Sequence, residues 1–206
     1  MADPARRQRR THSERREEAE ARMIDAAVRI VAERGLEELT LARCGEAAGY
    51  SRGLAAHYFG SKEQLLPAIA AHIVADYSQR LRAGSRRLPG LDGLLESVAF
   101  YIDSGRENVV VLRAFHAVLG SALKQAPLSA EIATLNHNSI TAFAEPIRRG
   151  IERGEIRGDV DPMAQAAMIV AALRGAMTQW LLDPARTDLD RIKTDYLAAL
   201  RRGLAA

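Results

Sequence analysis

The strongest constraint on the fold is a series of helix start and stop signals that divides the chain into amphipathic segments. The first segment, from Ser13 or Glu14 to Arg34, repeats apolar side chains with a helical period and ends before Gly35. Aromatic residues make up only 5% of the chain and β-branched runs are rare, which favours helices over sheets. The same signals predict about eight further helices, over 40–48, 51–58, 61–83, 91–105, 107–124, 129–152, 162–182 and 187–203. The predicted fold class is therefore all-α.

The composition excludes several classes of protein. The single cysteine, Cys44, rules out an internal disulfide framework and a cysteine-based zinc site. A buried, inert thiol is favoured over a redox switch at this position. The longest apolar run, 166–173, is far shorter than the ~18 residues of a membrane helix and ends at Arg174. No apolar segment follows the N-terminal arginines. These features predict a cytoplasmic protein without a membrane partner.

Basic residues are concentrated at the N-terminus. The first 16 residues contain six arginines against Asp3 and Glu14, whereas residues 17–62 contain six basic and eight acidic side chains. The basic character of the chain, whose net charge is +3, therefore belongs to an arm over residues 1–19 rather than to a domain. Such an arm either contacts nucleic acid or remains a solvated tail.

The stretch 40–59 has the pattern of a helix-turn-helix. Thr40 is placed to cap the first short helix, and Gly49 supplies a turn that admits positive φ. Gly45 and Ala48 are small enough to let the two helices approach closely. Ser51 is predicted to cap the second helix, so that the N-terminus of this helix would face a DNA groove. Together with the preceding helix, these elements predict a compact three-helix unit.

Three strings in this region resemble the DNA-binding domain of TetR-family transcriptional regulators. They are Glu33 to Thr40, Ala48 to Gly53 and His57 to Leu66. The resemblance covers roughly residues 20–70, and its Ser-x-Gly…His-Tyr-Phe-Gly-x-Lys spelling is similar to the choline-responsive branch. The rest of the chain matches only in helix number and in the string 149–156. The resemblance implies a helix-turn-helix domain over 20–66 and a helical ligand-binding and dimerisation domain over 67–206.

By position, the resemblance assigns contacts with double-stranded DNA to nine residues, namely Thr40, Arg43, Ser51, Arg52, Gly53, Leu54, His57, Tyr58 and Lys62. Hydroxyl and cationic groups suit phosphates, and Arg52 can form a fork onto guanine O6 and N7. The basic arm would reach an adjacent minor groove or phosphates. Ala55 and Ala56 depart from the Leu-Tyr pair usual in the family, so binding would depend more on Arg52 and His57. For Tyr58 a core position is the alternative.

The resemblance also implies that the C-terminal helices bind a small-molecule effector. In the nearly apolar segment 107–124, Arg113 and His116 are three residues apart and therefore on one helical face. In an apolar cavity this pair could hold an anionic or polar effector, the alternative being a structural ion pair or a core histidine. Further candidates for the cavity wall are Asn136, His137, Gln179 and Trp180.

The last two helices are predicted to form the interface of a homodimer. The segment 162–182 carries an apolar stripe of Ala166, Val170, Leu173, Met177 and Trp180/Leu181, and the last helix carries a second stripe. Two such helices suit a four-helix bundle between subunits, with intramolecular core as the alternative. Pro67 and Pro146 fall inside helical segments; the first marks either a hinge or a tolerated bend, and the second either a kink or two helices.

Together these patterns predict a helical DNA-binding protein, and the resemblance implies a transcriptional regulator, a repressor released from a palindromic operator by a small-molecule effector. One alternative is a DNA-binding protein of the same fold with an architectural role. A more distant one is a ligand-binding or enzymatic helical domain with a degenerate helix-turn-helix. The chain lacks a nucleophile elbow, a phosphate-binding loop and a zinc-protease motif, and its five histidines show no paired ligand spacing. No enzyme activity, cofactor or metal is predicted.

Overall fold

The computed structural model describes residues 11–84 and 88–206, which form nine helices. In chain order they are α1 (His12–Arg34), α2 (Leu41–Ala47), α3 (Leu54–Phe59), α4 (Lys62–Gly84), α5 (Gly90–Glu107), α6 (Val109–Ala122), α7 (Ala126–Glu152), α8 (Pro162–Leu182) and α9 (Leu189–Leu204). An isolated antiparallel bridge joins Ile156 to Ala205. The all-α prediction is therefore confirmed.

Helix α1 begins at His12, within two residues of the predicted start. The Thr11 hydroxyl accepts a hydrogen bond from the Glu14 amide at 3.2 Å, and the Glu14 carboxylate accepts one from the Thr11 amide at 2.7 Å. This reciprocal pair is a capping box, which satisfies two amides that the helix itself cannot. Residues 12–19, expected to be part of the arm, are thus helical. Residues 1–10, with four of the arm's arginines, lie outside the described part of the chain.

Most other helix ends agree with their predicted signals. Gly35 has φ of 84° after α1, and the Asp161 carboxylate caps α8 by accepting from the amides of Met163 and Ala164. Of the two alternatives at Pro146, the division into two helices is excluded, because α7 runs through this residue as one helix from Ala126. Likewise, α4 continues through Pro67.

Two hydrophobic clusters hold the helices together. The N-terminal cluster joins α1–α4 to α6 and the start of α7, with Met23, Leu39 and Leu66 almost completely buried. The C-terminal cluster joins α5, the rest of α7, α8 and α9, around Leu94 and Ile147. Each fully buried side chain of this size contributes about 1.5–3 kcal/mol. Because α6 packs on α1, the predicted DNA-binding unit shares its core with a helix of the C-terminal part.

Candidate nucleic-acid interface and ligand cavity

The helix-turn-helix is built around a very close approach of α2 and α3. The Thr40 hydroxyl caps α2 by accepting from the Arg43 amide at 3.2 Å, and Gly49 turns the chain with φ of 81°. A Cβ atom at Gly45 would lie only 2.6 Å from the carbonyl oxygen of Ser51. A side chain at position 45 would therefore force the two helices apart. These features confirm the predicted roles of the two glycines.

The predicted cap at Ser51 is wrong. Helix α3 begins at Leu54, its N-cap is Gly53, and no side chain caps it. The carbonyl of Ser51 instead accepts from the Leu54 amide at 3.1 Å, which closes a tight turn before the helix. Ser51 is the first residue of this turn, and its backbone lies against Gly45. Its side chain is exposed and does not cap the helix.

Helix α3 turns one face inward and the other to solvent. Ala55 and Phe59 are buried on the inner face, so Phe59 is a core residue. None of the nine DNA-binding candidates is buried: Thr40, Arg43, Ser51, Arg52, Gly53 and His57 are exposed, and Leu54, Tyr58 and Lys62 are half-buried. All nine residues are thus accessible on the surface formed by α2, α3 and the start of α4.

The cationic groups on this surface already have partners. Arg43 pairs with Glu38, Arg52 pairs with Glu46, and the Lys62 ammonium donates to the Leu36 carbonyl. Exposed pairs of this kind contribute only about 0–1 kcal/mol, so a phosphate or base can replace the carboxylates at little cost.

Arg16 is an additional basic residue on the same surface. It belongs to the predicted arm, but the structure places its guanidinium over the Tyr58 ring, 5.4 Å from the ring centroid. It lies in the first two turns of α1. Arg16 and the half-buried Tyr58 therefore extend the basic surface from α3 onto α1.

The thiol of Cys44 is structural. It is completely buried and donates to the Met23 carbonyl at 3.0 Å. Burial raises its pKa to about 11, so the reactive thiolate is scarce at neutral pH. The interpretation as an inert thiol is confirmed.

A cavity of about 350 Å³ opens between α4, α5, α6, α7 and α8. Its apolar wall combines Ile73 and Phe115 of the N-terminal cluster with Leu112, Phe143 and Leu173 of the C-terminal cluster. The cavity therefore lies at the junction of the two clusters. Its size and largely apolar lining, with a few polar groups, are those of a small-molecule site.

Polar side chains converge on one part of this cavity. Arg174 on α8 donates to the Asn136 side chain at 2.5 Å, and its guanidinium lies 5.7 Å from the centroid of the Phe115 ring. Burial raises the pKa of Tyr101, an effect that the hydrogen bond and charge of Arg174 oppose. Arg80 on α4 donates to the Ser104 hydroxyl at 2.8 Å.

Tyr77 carries an unsatisfied hydroxyl next to these groups. Its ring lies 5.5 Å from that of Tyr101, and burial raises the pKa of Tyr77. Within the described residues this buried hydroxyl has no hydrogen-bond partner. Leaving such a group unpaired costs about 1–3 kcal/mol, which a bound polar atom within reach can recover.

The structure brings none of the six effector candidates to the cavity wall. Arg113, His137 and Gln179 are exposed, while Trp180 packs against the C-terminal cluster. Asn136 meets the cavity only through Arg174. The spacing argument failed for α6 because this helix turns Leu112 and Phe115 inward, which leaves Arg113 outside.

His116 is the remaining candidate, and it is a partly buried neutral histidine. Its Nδ1 lies 3.1 Å from the Thr178 hydroxyl, and its Nε2 is buried without a partner among the described residues. Burial lowers its pKa, and the positive charge of Arg174 lowers it further. The polar residue that does line the cavity, Arg174, has a sequence signal: it is the single charge in the apolar helix α8.

The predicted dimer stripe on α8 is largely intramolecular core. Ala166, Leu173 and Met177 are buried, because this face of α8 packs on α5 and α7. The opposite face is exposed and also apolar, with Met168 58% and Leu182 76% exposed. Small or polar residues fill the positions between them: Ala171, Ala172, Gly175 and Gln179. This exposed face replaces the predicted stripe as the candidate for a subunit contact.

Other kinds of site are not found in residues 11–84 and 88–206. No helix there combines the length and hydropathy required to cross a bilayer. The same residues contain no group of three or more histidine, cysteine or acidic side chains placed to hold a metal ion.

Two family models together cover most of the chain. Residues 23–69 match the model of bacterial regulatory proteins of the tetR family, and residues 91–205 match that of the C-terminal domain of BetI-type transcriptional repressors. The chain belongs to the TetR family. One relative, the HTH-type transcriptional regulator BetI of Burkholderia ambifaria, is 30% identical over 193 residues, which cover 90% of this chain and 95% of the relative.

Solved structures have the same fold. A TetR-family regulator from a Rhodococcus species superposes with a TM-score of 0.83 at 23% identity, covering 92% of this chain and all of the other. A transcriptional regulator from Saccharomonospora viridis in complex with choline gives a TM-score of 0.79 at 18% identity, covering 92% of this chain and 99% of the other. This TetR-family member is thus a helix-turn-helix transcriptional regulator that binds DNA, and not an enzyme.

Proposed function

We propose that the chain is a homodimeric repressor that binds a palindromic operator in the cytoplasm and releases it when an effector occupies the cavity. The observation that carries the proposal is the solvent-facing surface of α3, where Arg52 and His57 are exposed beside Lys62. The match to a BetI-type repressor domain supports the direction of regulation. All nine DNA-binding candidates keep their proposed roles, and Arg16 joins them as a phosphate contact.

Homodimerisation is proposed through the exposed face of α8. Its alanines and glycine allow close helix approach, and Met168 and Leu182 supply apolar area that water otherwise covers. A two-fold axis between two copies of α8 would pair identical surfaces. Each α3 would then read one half-site, which explains why the operator should be palindromic.

The proposed route from cavity to DNA begins at the junction of the two clusters. A ligand there touches α4 and α6, the two helices that connect the cavity to the N-terminal cluster. Since α6 packs on α1 and α4 follows α3 directly, separating the clusters would move α3 relative to the partner's α3. Thermodynamic linkage then requires DNA to weaken effector binding by the same factor. Equal effector affinity in calorimetric titrations with and without operator would contradict this coupling.

Substitutions of Lys62 and Arg52 test the DNA surface. In Lys62→Ala, binding to all sequences should weaken and the slope of log affinity against log salt should fall by about one, because one phosphate contact is lost. In Arg52→Ala, specific binding should lose about 1–3 kcal/mol and preference at one base position should relax. Fluorescence anisotropy at several salt concentrations measures both effects.

The control is Arg186→Ala, since Arg186 is 90% exposed in the connection between α8 and α9. Thermal unfolding of each variant is recorded as well, because Lys62 also holds the Leu36 carbonyl. Substitutions at 52 and 62 that leave affinity, salt slope and base preference equal to those of the control would remove this surface as the interface.

A further inference from the structure

The charged side chains on the cavity wall are all of one sign. Among the described residues that line it are three arginines, Arg80, Arg82 and Arg174, and no aspartate or glutamate. Arg80 is neutralised by Asp76 at 2.8 Å. An apolar cavity weakens the screening of charge by water, so an imbalance of this kind selects strongly among ligands.

Of the two other arginines, neither of which pairs with a carboxylate among the described residues, Arg82 is exposed to solvent and Arg174 is half-buried. The contacts of Arg174 are the Asn136 amide, Tyr101 and the face of the Phe115 ring. These neutral contacts fix the guanidinium in position without cancelling its charge. A fixed guanidinium presents paired donors that match a carboxylate.

The surroundings define the rest of the ligand. The buried Tyr77 hydroxyl has no partner among the described residues and lines the cavity with Tyr101 close by. The remaining wall is mostly aliphatic and aromatic. The cavity volume of about 350 Å³ is at the lower end of the range found for ligand sites, which suits a small molecule.

We propose, building on the effector-responsive function above, that the cavity binds a small carboxylate with an apolar body, its carboxylate held by Arg174. The apolar body lies against Phe115, Phe143 and Leu173. A quaternary ammonium ligand such as choline is disfavoured, because its charge would face Arg174 and none of the described residues on the cavity wall supplies a carboxylate to balance it. The ligand class therefore differs from that of the choline-bound structural neighbour.

Isothermal titration calorimetry on the full chain, without DNA, tests the ligand class. Octanoate, octanol and octylamine share one chain and differ in head-group charge, and choline serves as the competing ligand. Octanoate should bind at least about tenfold more tightly than octanol, the gain typical of a charge-assisted hydrogen bond. Octylamine and choline should bind more weakly than octanol. Tighter binding of either cation than of octanoate, or no binding of octanoate, would overturn the proposal.

Substitution of Arg174 locates the head group. In Arg174→Gln the ratio of octanoate to octanol affinity should fall by about tenfold, while octanol binding is retained. Arg174→Lys should recover part of the ratio, because the charge returns without the fork. The matched control is Arg113→Gln, since Arg113 is exposed on α6 outside the cavity and should leave the ratio unchanged. An unchanged ratio in Arg174→Gln would contradict the assignment.

The ligand class and the repressor function can fail separately. If octanoate binds through Arg174 but does not release DNA, the proposed effector response is wrong and the ligand class stands. If the chain binds DNA specifically but its cavity prefers a cation, the proposed ligand class is wrong and the repressor function stands. Because the octanol ratio is measured within each variant, a variant that fails to fold loses both ligands and is recognised as such.

Discussion

Glutamate at both Met168 and Leu182 should convert the proposed homodimer into monomers and lower operator affinity by about 100-fold or more. The two side chains are the exposed large apolar groups on α8, and four charges across a two-fold interface would repel one another. Loss of the dimer removes the second half-site, whose binding is otherwise intramolecular and raises affinity by 10²–10⁴-fold. Analytical ultracentrifugation gives the mass, and anisotropy gives the operator affinity.

Leu123→Glu provides the control for this experiment. Leu123 is 89% exposed at the end of α6, away from the α8 face, so its replacement should change neither mass nor affinity. Since Met168 and Leu182 are exposed within a single subunit, the double variant should keep its helical fold, which far-UV circular dichroism verifies. A double variant that remains dimeric would exclude the α8 face as the subunit contact.

Alanine at Gly45 should destabilise the helix-turn-helix by about 1–3 kcal/mol and strongly weaken DNA binding. The new Cβ would lie 2.6 Å from the Ser51 carbonyl oxygen, a backbone atom that cannot rotate away. Relief of the clash requires α3 to move from α2, which displaces Arg52 and His57 from their positions. Chemical denaturation measures the first effect and anisotropy with operator DNA the second.

Gly53→Ala is the matched glycine replacement for stability. Its Cβ would meet nothing within 4 Å, and the backbone φ of −81° suits any residue, so the free energy of unfolding should change by less than about 0.5 kcal/mol. If Gly45→Ala were as stable as Gly53→Ala and bound DNA like the parent chain, the close approach of α2 and α3 would not be what positions the recognition surface.

The fold of the DNA-binding part could be predicted from the sequence because it depends on local signals. A cap at Thr40, a positive φ at Gly49 and a small residue at Gly45 act over a few residues, and the structure has all three. The predicted cap at Ser51 is wrong because a serine before a helix caps it only if the backbone brings its hydroxyl to the first amides of the helix. Here the turn through Gly53 sets the direction in which the chain enters α3. The contact of this turn with Gly45 is a tertiary contact, which local sequence signals do not predict.

The C-terminal half could be predicted only as a set of helices. Helix α8 is apolar on both faces, so its period does not tell which stripe meets α7 and which meets solvent. The cavity depends on five helices from distant parts of the chain. Arg113 and Arg174 each stand alone in an apolar helix, and only the packing of α6 and α8 distinguishes the exposed one from the one that lines the cavity.

Operator binding is tested most directly by selecting DNA from the source genome with the purified chain and sequencing the retained fragments. An operator-binding repressor should enrich a small number of sites that share one inverted repeat, and the Arg52→Ala/Lys62→Ala double variant should lose this enrichment. An architectural protein of the same fold would retain many scattered fragments. No enrichment, or enrichment without a shared repeat, would contradict the assignment as an operator-binding repressor.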